Sequence, residues 1–346
     1  MAHELELTGD GVASFAYSKN YGDPWHRLGT PLDGLSDVDT ILQLSRADYE
    51  VHKATLLTPD PAPSRRDGIG RPMLDTGSSY TWRTRPIWIG DDGQPRGGDR
   101  HVLGIVGNDY PVVQNRQLTE LALRLVGALP GDRTIDCAGV LDDGRRFFLT
   151  IPLDDIVLDP SGVADVHGRN LVVSTGHDGH WAINFVHGIV RAVCANTVQA
   201  ANDSAHWLVT IPHRGKFDPD RISLQRALGL AERGGSVFEE TAVKLLGMPA
   251  SFDVVVSTHD RIWGAARAKS IRVNRLNTLE TLWTSDTNVG AVGANRWAAL
   301  MTFSEYFEHR QQFAGSKRPG ARPLRATGVG GMHTRITQAR KILETI

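Results

Sequence analysis

One neighbourhood of the 346-residue chain gathers most of its reactive side chains. In the stretch LVVSTGHDGHWAINFVHGIVRAVCANTVQAAND, Leu171 to Asp203, Cys194 follows His177, His180 and His187, and Asp178 adjoins the first of them. A cysteine becomes a nucleophile when an imidazole lies within hydrogen-bond reach and a cation or helix start lowers its thiol pKa, and Arg191 could serve as that cation. The alternative is a small buried hydrophobe on the inner side of a helix. A metal could use His177, Asp178, His180 and His187, with His259-Asp260 as a second pair. His and Asp neighbours can ligate together only at a turn, because consecutive strand residues face opposite ways. Asp178 making an Asx turn with His177 packed at a hairpin tip is the competing reading. His177, Asp178 and Cys194 are therefore the catalytic candidates, and no metal site is assigned.

Nucleic-acid chemistry draws on different residues. Arg83 and Arg85 alternate with Tyr80, Trp82 and Trp88, Arg145 and Arg146 open one arm of a hairpin, and Arg191 sits in the central unit. Cations beside aromatic rings suit a single strand, which offers a base to stack and a phosphate to neutralise at every step. From His309 to Leu343 there are eight bases and no acid, including Lys317, Arg318, Arg322 and Arg325 in a Gly/Pro-rich arm at about 310–331. Such an arm finds phosphates through charge.

The elements that must position these groups follow from periodicity. Leu171–Ser174 and Trp181–Val190 read as a hairpin across His177-Asp178-Gly179, and Thr134–Leu141 with Arg145–Ile151 as another across Asp142-Asp143-Gly144. From Arg191 the pattern turns helical. Ser36 is expected to cap a helix burying Val38, Ile41 and Leu42, and Asn115 begins a helix with Leu118, Leu121, Ala122, Leu125 and Val126 on one face. Tyr49–Thr55, Tyr80–Ile89 (broken at Pro86), His101–Val106 and Trp207–Ile211 read as strands. In Tyr80–Ile89 the alternation puts Tyr80, Trp82 and Thr84 on one face and Arg83 and Arg85 on the other. Asp60–Ser79 and Gly90–Asp99 read as loops. After Pro212 the period becomes helical. The fold class expected is α+β: a strand-rich mixed or antiparallel body over 1–212 and a helical subdomain over 213–346.

Composition narrows the classes. A formal charge of -1 excludes a uniformly basic coat, so any nucleic-acid contact must come from local clustering. Two cysteines give no disulfide framework, and MAHELELTGDG has acids where a signal peptide needs bases. No apolar run approaches a membrane span. These features set the expectation of a soluble, cytoplasmic protein without membrane contact. No GxxxxGK[ST] loop is present, and no cofactor is expected.

DPWHRLGTPL, YPVVQN at Tyr110–Asn115, STGHDGHWAINF with IVRAVCANT, and GANRWAALMTFSEYFEH together resemble the phage/plasmid-like proteins built on domain of unknown function nine-three-two, in the same order over nearly the whole chain. The resemblance implies a setting in mobile DNA of actinobacterial phages and plasmids, and little about mechanism. A strand-rich body followed by helices is also the layout of phage single-strand annealing proteins, an analogy of fold alone. The function expected is DNA-associated and non-catalytic: single-stranded DNA binding or annealing by a homo-oligomer, in support of recombination or replication. A Cys/His-based or metal-dependent enzyme and a host-interaction protein are the alternatives.

Overall fold

The computed structural model of the chain describes residues 5–24, 27–59, 73–158, 165–188, 208–215, 229, 239–264, 269–310 and 332–346. In order the elements are β1 (Phe15–Ser18), β2 (Thr30–Leu32), α1 (Val38–Leu44), β3 (His52–Pro59), β4 (Met73–Thr84), β5 (Trp88–Ile89), β6 (Pro95–Arg96), β7 (Arg100–Gly107), α2 (Asn115–Ala128), β8 (Cys137–Leu141), β9 (Arg146–Pro152), β10 (Ile156–Leu158), β11 (Asp165–His167), β12 (Asn170–Gly176), β13 (Ile183–Gly188) and β14 (Leu208–Ile211). Helices follow: α3 (Phe252–Trp263), α4 (Lys269–Trp283), α5 (Val289–Val292), α6 (Arg296–Glu305), which runs into a π turn at Tyr306–Arg310, and α7 (Met332–Leu343).

A seven-stranded sheet in the order β14-β13-β12-β9-β8-β1-β2 forms the frame, antiparallel except for the β1–β2 pair. Period-two alternation gives it two apolar faces. Ala138, Val140, Phe147, Leu149, Ile151, Leu171, Val173, Ile183 and Phe185 pack under α1 and α2, against Ile41, Leu42, Leu118, Leu121, Ala122 and Leu125. The opposite face packs Phe15, Tyr17, Cys137, Phe148, Val172 and Val186 with Leu5 and Leu141. The C-terminal helices hold a separate core around Leu279, Trp283, Trp297, Leu300, Phe303, Phe307, Ala339 and Leu343, which also takes in Ile156 from β10. The architecture is α+β, with mixed sheets, packed helices and a distinct C-terminal helical region.

Both hairpins lie where the turn residues put them, with Thr150 of β9 opposite Val172 of β12 and Val172 opposite Val186 of β13. Three expectations change. The cap of α1 is Asp37, whose carboxylate accepts the Thr40 N–H at 2.8 Å, rather than Ser36. β4 starts at Met73, so the loop expected over 60–79 ends earlier. Met73, Leu74 and Asp75 pair with Pro59, Thr58 and Leu57, and a register shift after Thr55 absorbs the left-handed Gly77 (φ +72). The loop expected over 90–99 contains β6, which pairs with β5. The helix expected from Arg191 lies outside the described residues.

Candidate nucleic-acid interface

β3, β4 and β7 form a second, three-stranded antiparallel sheet. Its register sets His52 opposite Trp82, Trp82 opposite Val102, and Tyr80 between Ala54 and Ile105. β4 alternates as expected, but the charged face points inward: Ser79, Thr81 and Arg83 are buried, while Tyr80 and Trp82 are only half-buried.

The inward face rests on the tips of the two hairpins of the large sheet. Thr81 donates its hydroxyl proton to the His177 carbonyl at 2.6 Å. A Cβ at Gly104 of β7 would stand 2.6 Å from the Asp178 Cα, so only glycine lets this sheet and the β12–β13 turn approach so closely. Arg83, 0% exposed, pairs with the Glu6 carboxylate, whose other oxygen accepts from the Ser14 hydroxyl at 3.0 Å. The guanidinium also lies over the Tyr49 ring, 4.2 Å from its centre. It occupies the space that a side chain at Gly144 would need. Arg83 was expected to touch nucleic acid, and that expectation is corrected. A guanidinium sealed from solvent and neutralised by its own carboxylate has no reach to a phosphate.

His177 is equally enclosed. Its Nε2 lies 3.0 Å from Asn115 Oδ1, and Asn115 Nδ2 donates to the Ala47 carbonyl, which fixes the amide's orientation. Nε2 therefore carries the proton and Nδ1 the lone pair. Burial, with the His213 and Arg83 charges, holds the imidazole down to about 3. Beside it, burial raises the Tyr49 hydroxyl to about 12, and that hydroxyl donates to the Gly144 carbonyl. A neutral ring with no exposure is placed as a packing element and not as a base facing substrate. Asp178 makes the Asx turn, its Oδ1 accepting the His180 N–H at 2.9 Å. Among the described residues no group of three or more His, Cys, Asp or Glu could hold a metal ion.

The outward face is different in character. His52 stacks on Trp82 with ring centres 4.4 Å apart, and the Arg100 guanidinium lies over the same indole at 4.6 Å. Both partners are exposed, and Val102 and Ile105 beside them are 50% and 62% exposed. A row of planar groups with apolar neighbours thus faces solvent. Of the other expected residues, Arg85 bonds Asp99 at 3.3 Å and the His101 ring at 2.9 Å. Arg145 donates from Nε to the Leu103 carbonyl on β7. Arg146 pairs with Asp142 at 3.2 Å and covers the Trp181 ring at 4.5 Å. Cys194, Arg191, Lys317, Arg318, Arg322 and Arg325 lie outside the described residues. His52 and Arg100 went unnoticed in the sequence; Arg100 falls one residue before the expected strand, and only the cross-strand register brings either to Trp82.

Fold and site together define an α+β protein whose smaller sheet turns a polar face inward and an aromatic, cation-flanked face to solvent. The chain belongs to the family described as Domain of unknown function (DUF932), whose profile matches residues 102–342. The match covers His177, Asp178, Arg145 and Arg146 and begins after β3, β4 and Arg100. No curated protein matches the chain, and no solved structure does. No helix among the described residues is long and apolar enough to cross a membrane.

Proposed function

We propose that the protein binds single-stranded DNA on the outward face of the β3–β4–β7 sheet. The observation that carries this reading is the solvent-facing row of His52, Trp82 and Arg100. A base entering the row in place of Arg100 stacks on the indole and leaves the guanidinium for the adjoining phosphate. Tyr80, Val102 and Ile105 extend the apolar floor for a neighbouring base. Stacking of this kind tolerates any sequence, since every base has a π face. The mobile-DNA setting implied by the family resemblance agrees with it. Annealing of complementary strands by a homo-oligomer, in recombination or replication, is the fuller form of the reading.

The test is fluorescence anisotropy of a labelled oligothymidylate at low salt. Base–aromatic stacking contributes about 1–3 kcal/mol per base, so Trp82→Ala should weaken binding roughly 5- to 150-fold. Arg100→Ala should lower the salt slope by about one. Absent binding, affinity indifferent to salt, or a folded Trp82→Ala variant that binds like wild type would each defeat the proposal.

A further inference from the structure

Two guanidinium groups in the C-terminal helical region share one aromatic wall. Arg275 of α4 lies 4.7 Å, and Arg335 of α7 5.7 Å, from the Trp263 ring centre. The indole also packs on Phe303, Phe307 and the edge of Tyr306. Neither arginine pairs with a carboxylate among the residues whose side chains are described. Asp260 of α3 is already engaged by the bidentate Arg272 at 2.8 and 2.9 Å and by His259. His259 is fully buried against Trp263, ring centres 4.6 Å apart, and its Nε2 makes no hydrogen bond among the described residues. The charges feel one another: burial and the adjacent Arg275 hold the Arg335 guanidinium below its usual range.

Like charges drawn together in a half-buried place destabilise the chain unless something of opposite sign joins them. Cation–π attraction to one indole is shared between two cations and neutralises neither. From this juxtaposition we propose that Arg275 and Arg335, walled by Trp263 and Tyr306, form an oxyanion site that takes a phosphate group. Two planar forks from different helices suit a tetrahedral phosphate, each fork offering paired N–H donors to two oxygens. The Tyr306 hydroxyl, which interacts with Arg275, limits how far that guanidinium can swing away. This site stands independently of the sheet face. Its ligand is either a phosphate of a small molecule or a phosphodiester of a nucleic acid.

The experiment is thermal unfolding of the full chain in sodium phosphate against sodium chloride of equal ionic strength. Millimolar phosphate should raise the Tm of wild type by about 3 °C beyond chloride. Arg335→Gln should abolish that increment and, without phosphate, leave Tm unchanged or higher, because the repulsion is gone. Arg275→Lys, which keeps the charge and loses the fork, should reduce the increment; it serves as the second readout if Arg335→Gln does not fold. Labelled oligothymidylate separates the two sources. Weaker binding and a lower salt slope in Arg335→Gln point to a nucleic-acid phosphate, and unchanged binding to a small-molecule phosphate; both support the site. A phosphate increment no larger than chloride's, or one equally large in both variants, overturns it. Loss of oligonucleotide binding in Trp82→Ala with the phosphate increment intact would leave this inference standing.

Discussion

Acid should loosen the joint between the two sheets, and His177 sets the size of the effect. Its folded pKa of about 3 lies below the unfolded value of roughly 6.5, so the unfolded chain binds the extra proton first. The stabilisation is complete above pH 6.5 and is lost as the pH falls toward 3. A tenfold difference in proton affinity between the folded and unfolded chain corresponds to about 1.4 kcal/mol, and the drop from pH 7 to pH 5 therefore costs about 2 kcal/mol through this ring alone. His187, which burial holds down to about 4, adds to the wild-type trend, so the comparison must isolate His177. His177→Gln does so: the amide can still donate to Asn115 and cannot titrate. Urea unfolding by tryptophan fluorescence at the two pH values should show wild type losing about 2 kcal/mol more than the variant, a midpoint difference near 1 M at an m-value of roughly 2 kcal/mol/M. Equal losses would refute the placement of a neutral imidazole beneath the small sheet.

Arg83→Met strands the Glu6 carboxylate without its partner and should cost about 3–5 kcal/mol by urea unfolding; adding Glu6→Gln should recover much of it, and no recovery would dissolve the pair as an energetic unit. Gly104→Ala drives a methyl into the Asp178 backbone, which cannot give as a flexible side chain would; a loss of about 2 kcal/mol or more is expected, and a neutral result would contradict the close approach.

Turn chemistry and alternation made most of the body legible. Asp142-Asp143-Gly144 and His177-Asp178-Gly179 marked the two hairpin tips, and the spacing of Leu118, Leu121, Ala122 and Leu125 marked α2. Alternation in β4 separated Trp82 from Arg83 correctly but carried no sign for which was inside. The usual rule, rings in and charges out, reverses there because the partner of Arg83 is Glu6, 77 residues away, and no local pattern encodes a pairing at that range. Separation along the chain also hid His52 and Arg100: His52 reaches Trp82 only through the β3–β4 register, and Arg100 through the β4–β7 register, which a bulge after Thr81 resets. The extended segment at Met73–Ser79 was obscured by its own composition, since glycine and serine signal a loop until a neighbouring strand supplies the hydrogen bonds.

Photocrosslinking tests the outward face most directly. Full-length protein is irradiated with an oligothymidylate carrying 4-thiothymine at low salt, and the adducts are mapped by mass spectrometry. Adducts on the segment holding Tyr80 and Trp82, diminished in Trp82→Ala and competed away by unlabelled single strand, are the expected result. Adducts confined to the arm around Lys317–Arg325, or none where binding is measurable, would contradict it.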